Sequence, residues 1–232
     1  MSFDGAEKGG RIVLVPTPIG NLGDITVRAL EVLKNADRIA CEDTRRSGIL
    51  LAHHGLSGKP LVALHEHNEI RKAPELVAAA GAGEVIAFIS DAGMPGVSDP
   101  GYRLVQACLE AGVAFDVLPG PSAVLTALIG SGLPCHAFRF GGFLSVKSGK
   151  RRSAMSAALE SGETGIFFES PHRIVSTLEI LAELAPDAKV CVARELTKKF
   201  ETYHRGTPEE VLTWFREHGA KGEMVLLMNA AR

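Results

Sequence analysis

The 232-residue sequence has little net charge, no long apolar run and no paired cysteines. With a formal net charge of −2, it has no overall basic field that would draw it to nucleic acid or to a membrane surface. A polyanionic partner would therefore have to meet a local basic patch. No uncharged apolar stretch approaches the roughly 20 residues that a membrane-spanning helix needs. These absences predict a cytoplasmic protein that does not enter a membrane.

Cysteine and histidine patterns that bind metals are also missing. The four cysteines, Cys41, Cys108, Cys135 and Cys191, are far apart and form no C-x-x-C pair. Three of them lie in apolar segments, which predicts buried thiols in a reducing compartment rather than disulfides. The histidine pairs 53–54 and 65/67 do not match H-E-x-x-H, so we expect no metal site.

The two common nucleotide-binding fingerprints are absent as well. The nearest approach to G-x-G-x-x-G is GAGEVI at Gly81, which lacks the last glycine and precedes an apolar run instead of following one. Gly149-Lys150 is followed by Arg151, without the Ser/Thr of a phosphate-binding loop. A nucleoside triphosphate is therefore a disfavoured ligand.

Short apolar runs alternate with helical patterns along the whole chain. Five apolar strands separated by helices in the first half predict an α/β layer with a mainly parallel sheet. The second half has more strand per helix, which predicts a mixed sheet. We predict an N-terminal α/β domain over residues 11–132, a linker over 133–152 and a C-terminal α/β domain over 153–230.

Three loops rich in glycine and proline follow predicted strands of the first half. They are VPTPIGNLGD (Val15–Asp24), SDAGMPGVSDPG (Ser90–Gly101) and PGPSA (Pro119–Ala123). Because Pro16 and Pro18 have no backbone N–H, the first loop suits a neutral or cationic group better than a phosphate. Ligands of open α/β sheets bind at the carboxyl ends of the strands, so the loops favour a ligand cleft over a set of tight turns.

The second loop contains two aspartates with different interpretations. Asp99 precedes Pro100 and the next helix, so we interpret it as a helix cap. Asp91 directly follows its strand, where a structural role is harder to find. Asp91 is therefore the better ligand-binding candidate.

Eight motifs together resemble one family. They are VPTPIGNLGD, CEDTR (41–45), LHEHNE (64–69), SDAGMPGVSDPG, PGPSA, FESPHR (168–173), ARELT (193–197) and GEMVL (222–226). Over about residues 11–229, the chain resembles the tetrapyrrole-methylase-like group of S-adenosylmethionine-dependent methyltransferases. The resemblance implies two α/β domains with the cofactor in a cleft between them, a homodimer, and S-adenosylhomocysteine as the spent cofactor.

Within that group, the motifs resemble the branch that methylates a cytidine ribose 2′-hydroxyl in the 16S RNA of the small ribosomal subunit. The subunit would then be the partner. The resemblance also implies a set of cofactor-binding residues: Pro16, Asp91, Ala92, Gly93, Met94, Pro95, Val97, Ser98, Pro119, Ser122, Phe168, Ala193, Arg194, Glu195, Leu196, Gly222 and Glu223.

Polar residues that follow the second and third strands are the catalytic candidates. A ribose hydroxyl is a poor nucleophile, so a base or a cation beside it would help. His65 is the first candidate for a base, with a surface or capping histidine as the alternative. Glu42 is a second candidate, and Arg45 either faces a phosphate or pairs with Glu42 or Asp43. Glu169 and Arg173 are either cleft residues or a local pair.

For RNA contacts, the candidates are Lys147, Lys150, Arg151, Arg152, Arg139 and Asn68. Most lie in a glycine-rich segment that also contains Phe138, Phe140 and Phe143, and interleaved basic and aromatic residues suit a splayed single strand. A solvated linker with three core phenylalanines is the alternative. Two other functions remain open: a tetrapyrrole C-methyltransferase of the same fold, and a non-catalytic ribosome-associated module that binds S-adenosylmethionine.

Overall fold

The computed structural model describes residues 9–230, which form two compact units, one ending at Pro121 and the other beginning at Ser122. Each unit contains one five-stranded sheet with helices. The predicted class of two α/β domains, the first with a parallel sheet and the second with a mixed one, is confirmed. No helix within residues 9–230 is long and apolar enough to cross a bilayer.

The first unit alternates strands and helices. Its strands are β1 (Arg11–Leu14), β2 (Arg38–Cys41), β3 (Leu61–Ala63), β4 (Val85–Ile89) and β5 (Phe115–Val117). Its helices are a short 3₁₀ helix (Leu22–Asp24), α1 (Val27–Asn35), α2 (Thr44–His53), α3 (Glu69–Gly81) and α4 (Tyr102–Ala111). The strands pair in parallel in the order β3-β2-β4-β1-β5.

Both faces of this sheet are covered. Ile12 and Leu14 of β1 pack in a core with α3 and α4, whereas Val13 and Val15 pack with α1 on the opposite face. A strand buried on both faces is apolar throughout, which explains the near-continuous apolar runs. Polar groups of these strands are therefore concentrated at the strand ends, where the loops begin.

The second unit has a mixed sheet in the order β6-β7-β10-β8-β9. Its elements are α5 (Ala123–Ser131), β6 (Phe138–Phe143), α6 (Ser148–Glu160), β7 (Thr164–Glu169), α7 (Ile174–Leu184), β8 (Lys189–Arg194), β9 (Thr202–Gly206), α8 (Pro208–His218) and β10 (Met224–Asn229). Strand β6 pairs in parallel with β7, and the other pairings are antiparallel. The core includes Ile174, Leu178 and Leu181, as the apolar stripe of α7 predicts.

Helix α5 belongs to the second unit, although the sequence rhythm places it in the first. Tyr203 of β9 packs so closely on Gly130 that a Cβ there would lie 2.3 Å from the ring. The Arg205 guanidinium donates to the Ser131 carbonyl at 3.1 Å and to that of Gly130, so a cation satisfies the carboxyl end of α5. The second compact unit begins at Ser122, just before α5, and the predicted linker 133–152 contains β6 and the start of α6.

Three thiols are buried, as the apolar segments predict. Cys41, Cys108 and Cys191 are buried and Cys135 is exposed, and all four are free cysteines. Burial raises the pKa of the Cys191 thiol to about 11. This thiol is therefore protonated and unreactive at neutral pH.

Candidate functional site

The three Gly/Pro loops of the first unit meet at the carboxyl ends of the adjacent strands β4, β1 and β5. Thr17 and Gly93 exchange two backbone hydrogen bonds, of 2.9 and 3.0 Å. Pro16 packs on Gly120, where an added Cβ would lie 2.7 Å from the Pro16 Cβ. Because β1 lies between β4 and β5 in the sheet, loops that are far apart in sequence become direct neighbours.

Thr17 adds a further tie that the sequence did not single out. Its hydroxyl donates to the Ser90 carbonyl at 3.2 Å, and the residue is 1% exposed. The first loop is thereby fixed to the end of β4.

The loop after β4 has a specialised backbone. Gly93, Gly96 and Gly101 have φ of +77°, +85° and +134°, and Ser98 has φ of +62°. A serine in the left-handed region is uncommon, and such backbone strain is concentrated at functional sites. Seven of the predicted cofactor-binding residues lie on this loop: Asp91, Ala92, Gly93, Met94, Pro95, Val97 and Ser98.

The interpretation of Asp99 as a helix cap is wrong. Helix α4 begins at Tyr102, its N-cap residue is Gly101, and Gly101 has no side chain to cap it. Instead, one carboxylate oxygen of Glu69 accepts hydrogen bonds from the backbone of Gly101 (2.8 Å), Arg103 (3.1 Å) and Leu104 (3.2 Å). A carboxylate at a helix N-terminus satisfies free N–H groups and the helix dipole, whichever segment supplies it. Asp99 is thereby released from that task.

Acidic residues cluster at the ends of β2 and β4. The Asp43 amide donates to Asp91 Oδ1 at 3.1 Å, and the Asp91 amide donates to Glu42 Oε2 at 3.3 Å. These reciprocal bonds join the two strand ends. Burial is the main cause of the raised pKa of Glu42.

Arginines from the first turn of α2 neutralise part of this cluster. Arg45, a catalytic candidate, makes a bidentate pair with Asp43 (3.1 and 2.7 Å), and its side chain is 87% exposed. These hydrogen bonds lower the pKa of Asp43 well below its usual range. Arg46 pairs with Asp91 at 3.2 Å. The ion-pair reading of Arg45 is therefore the one the structure favours.

His65 lies at the end of β3, half-buried, with its Nδ1 buried and unpaired within the described residues. The Asn68 side chain accepts from the His65 amide at 2.9 Å and donates to the Ala63 carbonyl at 3.0 Å. Asn68, an RNA-binding candidate, is thus occupied in shaping the turn that carries His65.

Asp99 is a further functional candidate, which its surroundings in the fold bring out. Burial, followed by the negative charge of Glu42, raises the pKa of Asp99 to about 6. The Ser90 hydroxyl lies near enough to Asp99 to lower its pKa, yet it is buried and lacks a hydrogen bond of normal geometry. The only sequence signal was its place in a Gly/Pro loop at a strand end.

In the second unit, Glu195, Lys198 and Glu223 form a polar cluster, and two of them, Glu195 and Glu223, are predicted cofactor-binding residues. The Glu195 carboxylate accepts from the Glu223 amide at 2.9 Å and from Lys198 at 3.0 Å, which together lower its pKa. Lys198 also pairs with Glu223 at 2.9 Å. Gly222 has φ of +85°, and a Cβ there would lie 2.5 Å from Glu195 Cδ, so a larger residue would strain the backbone and displace the Glu195 carboxylate.

The other predicted cofactor residues of this unit lie at strand ends or helix starts. Ala193 and Leu196 are buried, and Arg194 donates to the Lys221 carbonyl at 2.6 Å. Phe168 is half-buried and contacts the rings of Phe140 and Phe143. Ser122 caps α5, and Pro119 of the first unit is exposed at the end of β5.

Glu169 and Arg173 form a local pair. The Glu169 side chain is fully buried and accepts from Arg173 Nε at 3.0 Å and from the Thr177 hydroxyl at 2.7 Å. The pair joins β7 to the start of α7, which corresponds to the structural alternative for these residues.

The basic patch is only partly available to RNA. Arg151 is 5% exposed and donates to the Ser176 hydroxyl at 3.2 Å, so α6 turns this side chain toward α7 and leaves little of it on the surface. Arg152 pairs with Glu183, and Arg139 lies 3.5 Å from Glu163. Lys147 and Lys150 are exposed.

The donor set of the first unit suits a cationic ligand. The strand-end loops present carbonyls and carboxylates, and six of their positions are prolines without N–H. The buried Ser90 hydroxyl makes no hydrogen bond of normal geometry within the described residues. Within residues 9–230, no group of three His, Cys, Asp or Glu side chains has the arrangement of a metal site.

Comparison with known proteins gives a consistent result. The sequence profile of the tetrapyrrole (corrin/porphyrin) methylases matches residues 11–212. The chain is 50% identical to the ribosomal RNA small subunit methyltransferase I of Escherichia coli O157:H7, over 94% of this chain and 77% of that protein. The protein of the same name from Vibrio cholerae is 51% identical, over 95% and 77%. That from Hydrogenobaculum is 43% identical, over 94% and 95%.

Solved structures share the fold at low identity. Diphthine synthase superposes with a TM-score of 0.74 at 19% identity, covering 95% of this chain and 90% of that one. A uroporphyrin-III C-methyltransferase from Thermus thermophilus gives 0.66 at 22% identity, covering 95% and 94%. At such identity the likeness concerns the fold alone.

Proposed function

We propose that this chain, which belongs to the tetrapyrrole (corrin/porphyrin) methylase family, transfers a methyl group from S-adenosylmethionine to the ribose 2′-hydroxyl of a cytidine in small-subunit ribosomal RNA. One observation carries the proposal within the molecule: three donor-poor loops and a set of carboxylates meet at one edge of the parallel sheet. The names of relatives at 43–51% identity supply the RNA substrate.

S-Adenosylmethionine, when bound, supplies an electrophilic methyl group on a positively charged sulfonium. The Pro16, Gly93 and Gly120 backbones are the proposed contacts in the first unit, since they are joined and rigid. The carboxylates of Asp91 and Glu42 favour positive charge nearby. In the second unit, the proposed contacts are the Ala193–Leu196 segment and Gly222. The Glu195 side chain holds the two segments together, because it accepts from the Glu223 amide and packs against Gly222.

The work of these residues is mainly geometric. Transfer to oxygen is an in-line displacement, so the attacking oxygen, the methyl carbon and the sulfur must be collinear. Orientation of this kind contributes up to roughly 7–11 kcal/mol in well-arranged cases. The loop after β4, with its left-handed Ser98 and its two hydrogen bonds to Thr17, is suited to that task.

The proposed RNA-binding surface consists of fewer residues than the sequence predicts. Lys147 and Lys150 are exposed at the start of α6, and Phe143 is 63% exposed on edge strand β6. Exposed cations beside an exposed aromatic suit the phosphates and bases of a single strand. A homodimer would double this surface, and it is part of the proposal.

The test is transfer of labelled methyl from S-adenosylmethionine to small ribosomal subunits from a strain that lacks this protein. We expect label on one cytidine ribose. Lys147→Ala/Lys150→Ala should raise KM for the subunit with little change in cofactor affinity, whereas Lys34→Ala, an exposed lysine on α1, serves as the matched control. Cofactor binding by calorimetry without label on the RNA would overturn the RNA assignment and turn attention to tetrapyrrole acceptors.

A further inference from the structure

Asp99 lies at a strand-end loop with a carboxylate that performs no structural task in the described residues. Glu69 has taken the capping role at α4. No ion pair reaches Asp99 from residues 9–230, whereas Asp43 pairs with Arg45 and Asp91 with Arg46. A half-buried carboxylate without a cation is costly to retain unless it has another use.

A second observation points to a ligand at the same place. Ser90 is 2% exposed, its hydroxyl lies beside Asp99, and that hydroxyl makes no hydrogen bond of normal geometry. Buried hydroxyls nearly always have a well-formed hydrogen bond, and the contact of Ser90 with Asp99 falls short of one, so the two side chains leave a place for a further polar group. The group must be able to accept from Ser90 or donate to Asp99, as a hydroxyl does.

The other charged groups around Asp99 define its character. Glu42 and Asp91 interact with it from the ends of β2 and β4. Arg46 pairs with Asp91, and Glu66 interacts with Glu42. Two neighbouring carboxylates make Asp99 a better proton acceptor than an isolated aspartate. A carboxylate held by an arginine, such as Asp43, is a weaker base for the opposite reason.

We propose that Asp99 is the general base of the transfer and takes the proton of the ribose 2′-hydroxyl, with the Ser90 hydroxyl orienting that oxygen. This inference rests on the proposed function. The 2′-oxygen forms a bond to the methyl carbon, the carbon–sulfur bond breaks with its electron pair going to sulfur, and the proton passes to the Asp99 carboxylate. The products are the methyl ether, S-adenosylhomocysteine and a protonated Asp99, which returns its proton to water.

The acid–base range of Asp99 agrees with this role. Its pKa of about 6 makes it ionised at neutral pH and still more basic than an ordinary aspartate. General bases act best when their pKa lies near the working pH.

The first experiment measures single-turnover methyl transfer to small subunits for wild type, Asp99→Asn and Asp99→Glu between pH 5 and 8.5. We expect the wild-type rate to fall as the pH drops through about 6. Asp99→Asn should lose at least about 100-fold in rate and the pH dependence with it, with an unchanged Kd for S-adenosylmethionine. Asp99→Glu should regain part of both. The control for loss of a negative charge in this unit is Asp116→Asn. Asp116 lies on β5 and pairs with Arg11 of β1.

A second readout does not depend on activity. In carbon-13-labelled protein, the carboxyl resonance that disappears in Asp99→Asn should titrate near 6 in the wild type. Titration near 4, or an Asp99→Asn variant with the wild-type rate and pH profile, overturns the inference while leaving the proposed function intact. Wild-type protein that binds S-adenosylmethionine but labels no RNA overturns the proposed function, and the base falls with it.

Discussion

Glu69 in the first unit and Glu169 in the second are both almost fully buried, with 5% and 3% exposure. Glu69 accepts three backbone hydrogen bonds from the start of α4, whose sequence positions lie more than 30 residues away. Glu169 pairs with Arg173 and Thr177 in the helix that directly follows it. One carboxylate therefore fixes the end of a distant loop, and the other fastens a helix to its own strand.

This difference separates a residue that arranges a site from one that stabilises a fold. The loop that ends at Gly101 contains seven of the cofactor-binding residues predicted from the sequence, and Glu69 fixes the end of that loop. Glu169 acts inside a network of buried charges, where the loss of one partner leaves the other unpaired. The two glutamates should accordingly differ in what their removal damages.

The largest effect is expected from Glu169→Ala. Removing the carboxylate leaves the mostly buried Arg173 without its partner, which should cost about 3–5 kcal/mol in the free energy of unfolding. Urea denaturation measures the loss. Glu179→Ala, on α7, removes a solvent-exposed pair with Arg216 and should cost less than about 1 kcal/mol. Equal losses for the two variants would contradict the role given to burial.

Gly222→Ala tests whether the second unit also depends on a contact between residues that are distant in sequence, here Gly222 and Glu195. The new Cβ would overlap Glu195, and φ of +85° adds backbone strain, so we expect a loss of about 1–3 kcal/mol. Calorimetry should also show weaker S-adenosylmethionine binding. At Gly219, φ is +74° with nothing within 4 Å of an added Cβ, so Gly219→Ala reports backbone strain alone. If Gly219→Ala and Gly222→Ala have the same effects on stability and on S-adenosylmethionine binding, the contact between Gly222 and Glu195 contributes to neither.

Glu69→Gln should have a smaller effect on stability and a clearer one on binding. The amide oxygen can still accept, but the negative charge at the start of α4 is lost, which should cost about 1–2 kcal/mol. Because the loop before α4 is then less fixed, the Kd for S-adenosylmethionine should rise. Glu75→Gln, on the exposed side of α3, is the control. If Glu69→Gln lowers stability but leaves the Kd for S-adenosylmethionine unchanged, then Glu69 only stabilises the fold, as Glu169 does.

The smallest effect is expected from Asp99→Asn, and it is an increase in the free energy of unfolding. The pKa of Asp99 is raised from 3.8 to about 6 by burial, so the folded state disfavours its ionised form at pH 7.5. The full shift corresponds to about 3 kcal/mol. Partial exposure screens much of it, and Asp99→Asn should stabilise the protein by about 1 kcal/mol at pH 7.5.

The sign of the pH dependence follows from linkage. Between pH 6 and 4, the folded state binds the Asp99 proton more tightly than the unfolded chain does, so the wild type gains stability as the pH falls. The advantage of Asp99→Asn should therefore shrink over that window, as measured by denaturation at pH 7.5, 5.5 and 4. An advantage that is constant with pH would show that ionisation of Asp99 is not its cause.

The alternation of strands and helices and the apolar stripe of α7 were readable from the sequence. Both arise from local periodicity, because a strand buried on two faces must be apolar and a helix must present one apolar stripe. The assignment of α5 was not readable, since the contact of Gly130 with Tyr203 joins residues that are distant in sequence. The burial of Arg151 was equally hidden, because the orientation of a helix depends on its packing partner.

The kind of protein can be recognised from the order of its residues: an α/β chain with Gly/Pro loops at strand ends and the motifs of a methylase family. Those properties reside in composition and short-range spacing. Which polar groups are free depends instead on contacts between residues that are distant in sequence. Glu69 reaches α4 across the first unit and releases Asp99, and Arg46 neutralises Asp91 but not its neighbour. Whether a carboxylate is a cap, an ion-pair partner or a base depends on which donors approach it in space.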